Sequence, residues 1–113
     1  MFRFRFLTIT LGFALAASTA GLAQKKGGKA ADPAKGKEIF EQCAVCHEIA
    51  TEEKKLGPSL KGLYKKAKLT NGKKPTDQTI TAQINEGGNG MPAYKDMLSN
   101  EEKAAVLAYL KTI

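Results

Sequence analysis

Apolar residues return at helical spacing along several stretches of the chain, and nowhere alternate as a β-strand requires. The first stretch opens at Asp32, a good N-cap, and Pro33, a favoured first helical residue. It continues through Gly36, Ile39, Phe40, Cys43 and Cys46, so a helix is expected from about Pro33 into the cysteine pair. Gly36 costs roughly 1 kcal/mol in a helix interior relative to alanine, and close approach of another helix is the usual reason for one. From Leu56 to Pro75 the pattern weakens to GPSL, then apolar Leu63, Ala67 and Leu69, then Asn71 and Gly72 as a turn signal. A short helix and a loop are expected there. Thr76 follows Pro75 as the cap of a further helix, in which Ile80 and Ile84 lie one turn apart before Gly87 and Gly88 end it. After the loop NGMPAY, Ser99 and Glu102 form a capping box in front of the run from Ala104 to Leu110, the best-signalled helix of the chain. The expected class is all-α, and no internal repeat is visible.

Before Asp32 the pattern changes character. Met1 to Arg5 carries Arg3 and Arg5, the apolar run Phe6 to Ala17 follows, and small residues continue from Ala17 to Ala23. This reads as a secretory signal peptide over 1–23, cleaved after Ala23 or, as a second fit to the small-x-small rule, after Ala20. The apolar run falls short of the roughly 20 residues that span a bilayer, so a retained anchor is the weaker reading. Residues 24–31 (QKKGGKAA) have no periodicity and read as a flexible basic tail, leaving 32–113 as one small domain. A mature chain near 90 residues buries a modest core and often depends on a disulfide, metal or cofactor.

Charge narrows the partners. The chain has a formal charge of +7, and its mature part has 16 lysines, no arginine and 11 acids, a surplus of five. Readers of nucleic-acid sequence use arginine for bidentate base contacts, so an arginine-free basic surface on an exported chain argues against DNA or RNA. Residues 54–74 hold eight lysines and no acid, which suits either docking on an acidic partner or a solvated face.

The chemistry is concentrated in Cys43, Ala44, Val45, Cys46 and His47, the CxxCH spacing of covalent c-type haem attachment. Two thiols one turn apart reach one edge of a porphyrin, and the adjacent imidazole is then aimed at the iron. Three other readings compete. A structural zinc site needs four ligands, and the chain has one histidine and two cysteines, so carboxylates would have to complete it. A thioredoxin-like dithiol belongs to a βαβ context that is missing here. A local disulfide suits an exported protein but leaves His47 unexplained. If haem is bound, bis-histidine ligation is impossible and methionine is the natural sixth ligand. Glycines before Met91 and Pro92 after it shape a presenting loop, whereas Met97, beside Leu98 and the Ser99 cap, reads as a packing residue.

From Asp32 to Ile113 the sequence resembles the class I c-type cytochromes. Besides CxxCH, Gly57, Pro58, Ser59 and Leu60 resemble the family's GPxL element, and Gly87 to Tyr94 (GGNGMPAY) resembles its methionine loop. Gly36 and Phe40, with Val106 and Tyr109, resemble its crossing of N- and C-terminal helices. The resemblance implies a small cytochrome c fold of three to four helices around one covalent haem c. Its thioethers would be at Cys43 and Cys46, its axial iron ligands would be His47 and Met91, and the Pro58 carbonyl would orient the histidine. It further implies a monomeric periplasmic electron carrier, and the lysine run adds the expectation of redox protein partners with an acidic docking surface. With both axial positions filled the iron would not bind substrate, so no catalytic residue and no enzyme activity are expected. The alternative keeps the haem in an electron-accepting subunit of a periplasmic dehydrogenase or oxidase complex.

Overall fold

The computed structural model describes residues 30–113; the leader 1–23 and the tail up to Lys29 lie outside the described residues. Among the described residues three α-helices carry the fold, α1 (Pro33–Phe40), α2 (Asp77–Glu86) and α3 (Asn100–Leu110), with one 3₁₀ turn at Leu63–Lys65. No strand occurs among the described residues, only an isolated antiparallel bridge between Gly88 and Met91.

Each helix starts where its capping chemistry places it. Asp32 accepts from the Ala34 N–H at 2.9 Å, satisfying a donor the first turn leaves free. Thr76 and Thr79 cap α2 reciprocally, and Ser99 and Glu102 do the same for α3, with bonds of 2.8 and 3.1 Å. The regular part of α1 stops at Phe40, earlier than the sequence pattern predicts. The Gln42 side-chain amide donates to the Ile39 carbonyl at 3.1 Å, the acceptor that the Cys43 N–H would need to continue the helix. The Cys43 N–H instead reaches Phe40 O at 2.7 Å, and mixed three- and four-residue turns carry the chain on to His47.

α1 packs against α3 at a point where side chains are absent. A Cβ on Gly36 would overlap the Ala105 carbonyl and come within 2.9 Å of the Tyr109 Cβ, so only glycine permits this approach. One turn later Phe40 meets Tyr109 with ring centroids 5.4 Å apart and planes tilted by 58°. The core of Phe40, Leu63, Ile80, Ile84, Tyr94, Val106, Leu107 and Leu110 draws on all three helices and the 3₁₀ turn. Yet no large side chain among the described residues is completely enclosed, because the core surrounds a cavity instead of filling it.

Two polar ties hold the shell. The Tyr64 hydroxyl donates to Asp77 Oδ1 at 2.7 Å, while Lys111 Nζ donates to Asp77 Oδ2 at 3.1 Å and sits 5.4 Å from the Tyr64 ring centre. These contacts join the 3₁₀ turn, the start of α2 and the end of α3. The second tie is Lys103, buried along its stem, whose ammonium donates to the Lys95 carbonyl at 3.0 Å and anchors the loop before α3.

Candidate functional site

The cavity has a volume of about 830 Å³ and takes its walls from every part of the fold. Phe40, Leu63, Ile80, Ile84, Val106 and Leu110 make it apolar, and Cys43, Cys46, His47, Pro58 and Met91 also line it. All five residues that the sequence singles out therefore converge on one space, although 48 positions separate the first from the last. The volume lies within the roughly 300–1,000 Å³ of small-molecule and cofactor pockets.

His47 is fixed by its surroundings. Its Nδ1 lies 2.8 Å from the Pro58 carbonyl oxygen, and because a carbonyl only accepts, Nδ1 must carry the proton. Nε2 is then the basic nitrogen, free to bind a metal. The Gly57–Leu60 strap lies against the ring: a Cβ on Gly57 would come within 2.6 Å of His47 Cε1. Backbone bonds hold the strap in place, from Gly57 N to Cys46 O at 2.8 Å and from Leu60 N to Glu48 O at 2.8 Å.

Both cysteines are free and half-buried. Burial, and secondarily the nearby Cys46, pushes the Cys43 thiol above its ordinary pKa. Burial also raises Tyr94, with smaller contributions from the two thiols. Glu48, by contrast, is held below the usual carboxylate range by the N–H groups of Ala50 and Ile49 and by Lys55.

Met91 closes a tight turn, where the glycine pattern alone predicts only a loop. Asn89 and Gly90 both have positive φ, 52° and 89°, and the pair Gly88 N to Met91 O and Met91 N to Gly88 O closes the turn at 2.9 and 3.0 Å. Positive φ at both central residues is the type I′ pattern, for which Asn-Gly is the preferred sequence. The Tyr94 N–H then reaches Ile84 O at 2.9 Å, fastening the loop to the end of α2. Met97 does not pack as expected. Its side chain is 63% exposed and takes no part in the cavity, because the turn from Tyr94 to Leu98 directs Leu98 inward instead.

A family model described as cytochrome c oxidase, cbb3-type, subunit III matches residues 31–110. The chain is 41% identical over 81 residues to cytochrome c6 of Anabaena variabilis, covering 71% of this chain and 90% of that protein. It is 36% identical over 83 residues to cytochrome c6 of Leptolyngbya boryana, covering 71% and 91%. Cytochrome c6 of the diatom Phaeodactylum tricornutum superposes with a TM-score of 0.54 at 35% identity, over 72% of this chain and 92% of that one. The chain belongs to the cytochrome c family. The expectations of an all-α cytochrome c fold, one covalent haem c and an electron-carrying, non-enzymatic role hold for it. The site of this cytochrome suits its group: a largely apolar, partly open cavity, two thiols at its wall, and an imidazole oriented by the Pro58 carbonyl.

Seven of the eight lysines in 54–74 are exposed and Lys66 is half-buried. Lys55 pairs with Glu48 at 3.6 Å and Lys66 with Glu52 at 3.8 Å, while the other six have no acidic partner among the described residues. Lys54, Lys66 and Lys68 stand at the cavity together with Leu56, which is 80% exposed. Among the described residues no helix is long and apolar enough to cross a membrane.

Proposed function

We propose that this cytochrome is an exported, monomeric electron carrier whose haem is tethered at Cys43 and Cys46 and whose iron is held by His47 and Met91. When bound, the haem supplies an iron that alternates between ferrous and ferric states. The residues prepare it. The Pro58 carbonyl holds the Nδ1 proton of His47, so that Nε2 faces its task as a neutral, oriented base. The type I′ turn fixes the reach of the Met91 thioether, a soft ligand that raises the reduction potential relative to a second nitrogen. The apolar walls limit water and fixed charge around the iron, and the unpaired lysines at the rim favour an acidic redox partner.

The observation that carries this reading is the 2.8 Å contact between His47 Nδ1 and Pro58 O within the cavity that Met91 also lines. Its test is an optical spectrum of wild type and Met91→Ala, made in a host with haem-attachment machinery. The wild type should show a low-spin ferric spectrum with a methionine-to-iron charge-transfer band, and Met91→Ala should lose it. A band that persists in Met91→Ala would transfer the ligand role to Met97. Amino-terminal sequencing of the mature protein should begin at Gln24; a start at Met1 would remove the export reading.

The family model's description as an oxidase subunit favours a second reading, in which the chain works inside a complex. Against it, the chain spans nine tenths of relatives that are named simply cytochrome c6. Native mass decides: a monomer near the mature chain mass supports the free carrier, and co-purification with larger subunits supports the complex.

A further inference from the structure

Ser59 occupies the variable position of the strap that orients His47, and its hydroxyl is committed more fully than that position requires. The residue is buried to 6% exposure. Its Oγ donates to the Thr51 carbonyl at 2.5 Å, approaches the Glu48 carbonyl at 3.4 Å and accepts from the Lys61 N–H at 3.2 Å. Its own carbonyl accepts from Lys66 Nζ at 2.9 Å. The serine thus ties the strap to the segment following CxxCH, one residue from the oxygen that His47 Nδ1–H uses. Without the hydroxyl, the strap around the Pro58 carbonyl would keep its backbone bonds at Gly57 and Leu60 and the Lys66 contact to the Ser59 carbonyl, but would lose its side-chain tie to the Thr51 carbonyl.

From this geometry we infer that Ser59 is a positioning residue that sets the reduction potential by fixing the hydrogen bond between His47 and Pro58. The inference rests on His47 being an iron ligand. A short bond from Nδ1–H to the carbonyl makes the imidazole more basic, and a more basic ligand favours ferric over ferrous iron. Loosening the carbonyl weakens that bond and moves the equilibrium toward ferrous iron. The potential therefore rises in Ser59→Ala.

The experiment is a spectroscopically monitored redox titration of holo wild type, Ser59→Ala and Thr79→Ala. Thr79 bonds only at the start of α2 and serves as a control for plain destabilisation. Ser59→Ala should increase the ferrous-to-ferric ratio at fixed ambient potential about threefold, ~28 mV at ~59 mV per tenfold for one electron. Thr79→Ala should leave the ratio unchanged while lowering the unfolding midpoint. If Ser59→Ala fails to retain haem, Ser59→Thr and its apolar isostere Ser59→Val make the same comparison, with the valine variant titrating higher. Equal ratios in each pair, or a fall in Ser59→Ala, overturn the inference even where the low-spin His/Met spectrum is intact. Absence of that spectrum in the wild type would instead overturn the ligand reading beneath it.

Discussion

At the scale of single residues, two glycines matter for opposite partners. Gly57 gives room to the His47 ring, and Gly36 gives room to the backbone of α3. The obstacle at Gly36 is the Ala105 carbonyl, which cannot rotate aside as a side-chain end could. Gly36→Ala should therefore force the helices apart, costing about 2–3 kcal/mol as overpacking does, measured by chemical denaturation of the holoprotein. A loss below roughly 0.5 kcal/mol, the scale of neutral surface changes, would mean that the two helices do not meet at this point.

Asp77 shows how a small electrostatic tie depends on pH. Its carboxyl is held below the ordinary range by the Tyr64 hydroxyl, then by Lys111. A folded-state pKa lower than the unfolded one contributes stability that is fully present above the unfolded value, ~3.9, and disappears as pH falls through the folded one. The side chain is 57% exposed, so the contribution is at most about 1 kcal/mol. Wild type should thus exceed Asp77→Asn in unfolding midpoint at pH 7, and the difference should vanish in acid. A difference that persisted below pH ~2 would assign the effect to packing rather than charge.

At the scale of elements, what matters is where helices begin and which face they turn to the cavity. α3 contributes Val106 and Leu110 to the wall and Ala105 to the contact with α1, so its register serves both. Ser99→Ala removes one half of its capping box and should lower stability by about 1 kcal/mol. The optical spectrum should be unchanged, since the cap lies outside the cavity lining. A changed ligand-field spectrum would show that the cap also governs the Met91 loop. The starts of α2 and α3 were legible because Thr76 and Ser99 are caps with local signatures. The end of α1 was not, because there the backbone N–H groups of Glu41 and Cys43 switch to three-residue turns and the Gln42 side chain takes the Ile39 carbonyl, choices that periodicity does not encode.

At the scale of the whole molecule, the shell is built around a group that the polypeptide does not itself supply. A dry, closed void of about 830 Å³ would cost ~20 kcal/mol at roughly 24 cal/mol per Å³. This cavity is open to water and escapes that cost, but its apolar walls are then left wet until the haem covers them. The Cys43→Ser, Cys46→Ser double variant, purified free of haem, should therefore show no cooperative thermal transition and a flattened near-ultraviolet dichroism. A sharp transition in the haem-free chain would mean that the shell stands by itself. The six unpaired lysines make a further prediction at this scale: electron transfer to an acidic redox protein should slow as salt rises from about 10 to 150 mM, where the Debye length shortens from roughly 30 to 8 Å. A rate independent of salt would leave the lysines as a solvated face.

Read without its fold, the chain already shows where its helices start, the haem-attachment motif, and His47 and Met91 as the candidate iron ligands. These are local properties: caps, spacing, and a count of one histidine that makes methionine the candidate for the second ligand. What folding adds is the placement of the two methionines: Met91, closing the Asn89–Gly90 turn, lines the cavity, while Met97 is exposed outside it. The tertiary structure also decided what Ser59 does, since the carbonyl its hydroxyl finds belongs to Thr51, eight positions away in a segment without periodicity. Hydrogen-bond partners across loops depend on how the chain folds back upon itself, and no spacing along the sequence carries that information.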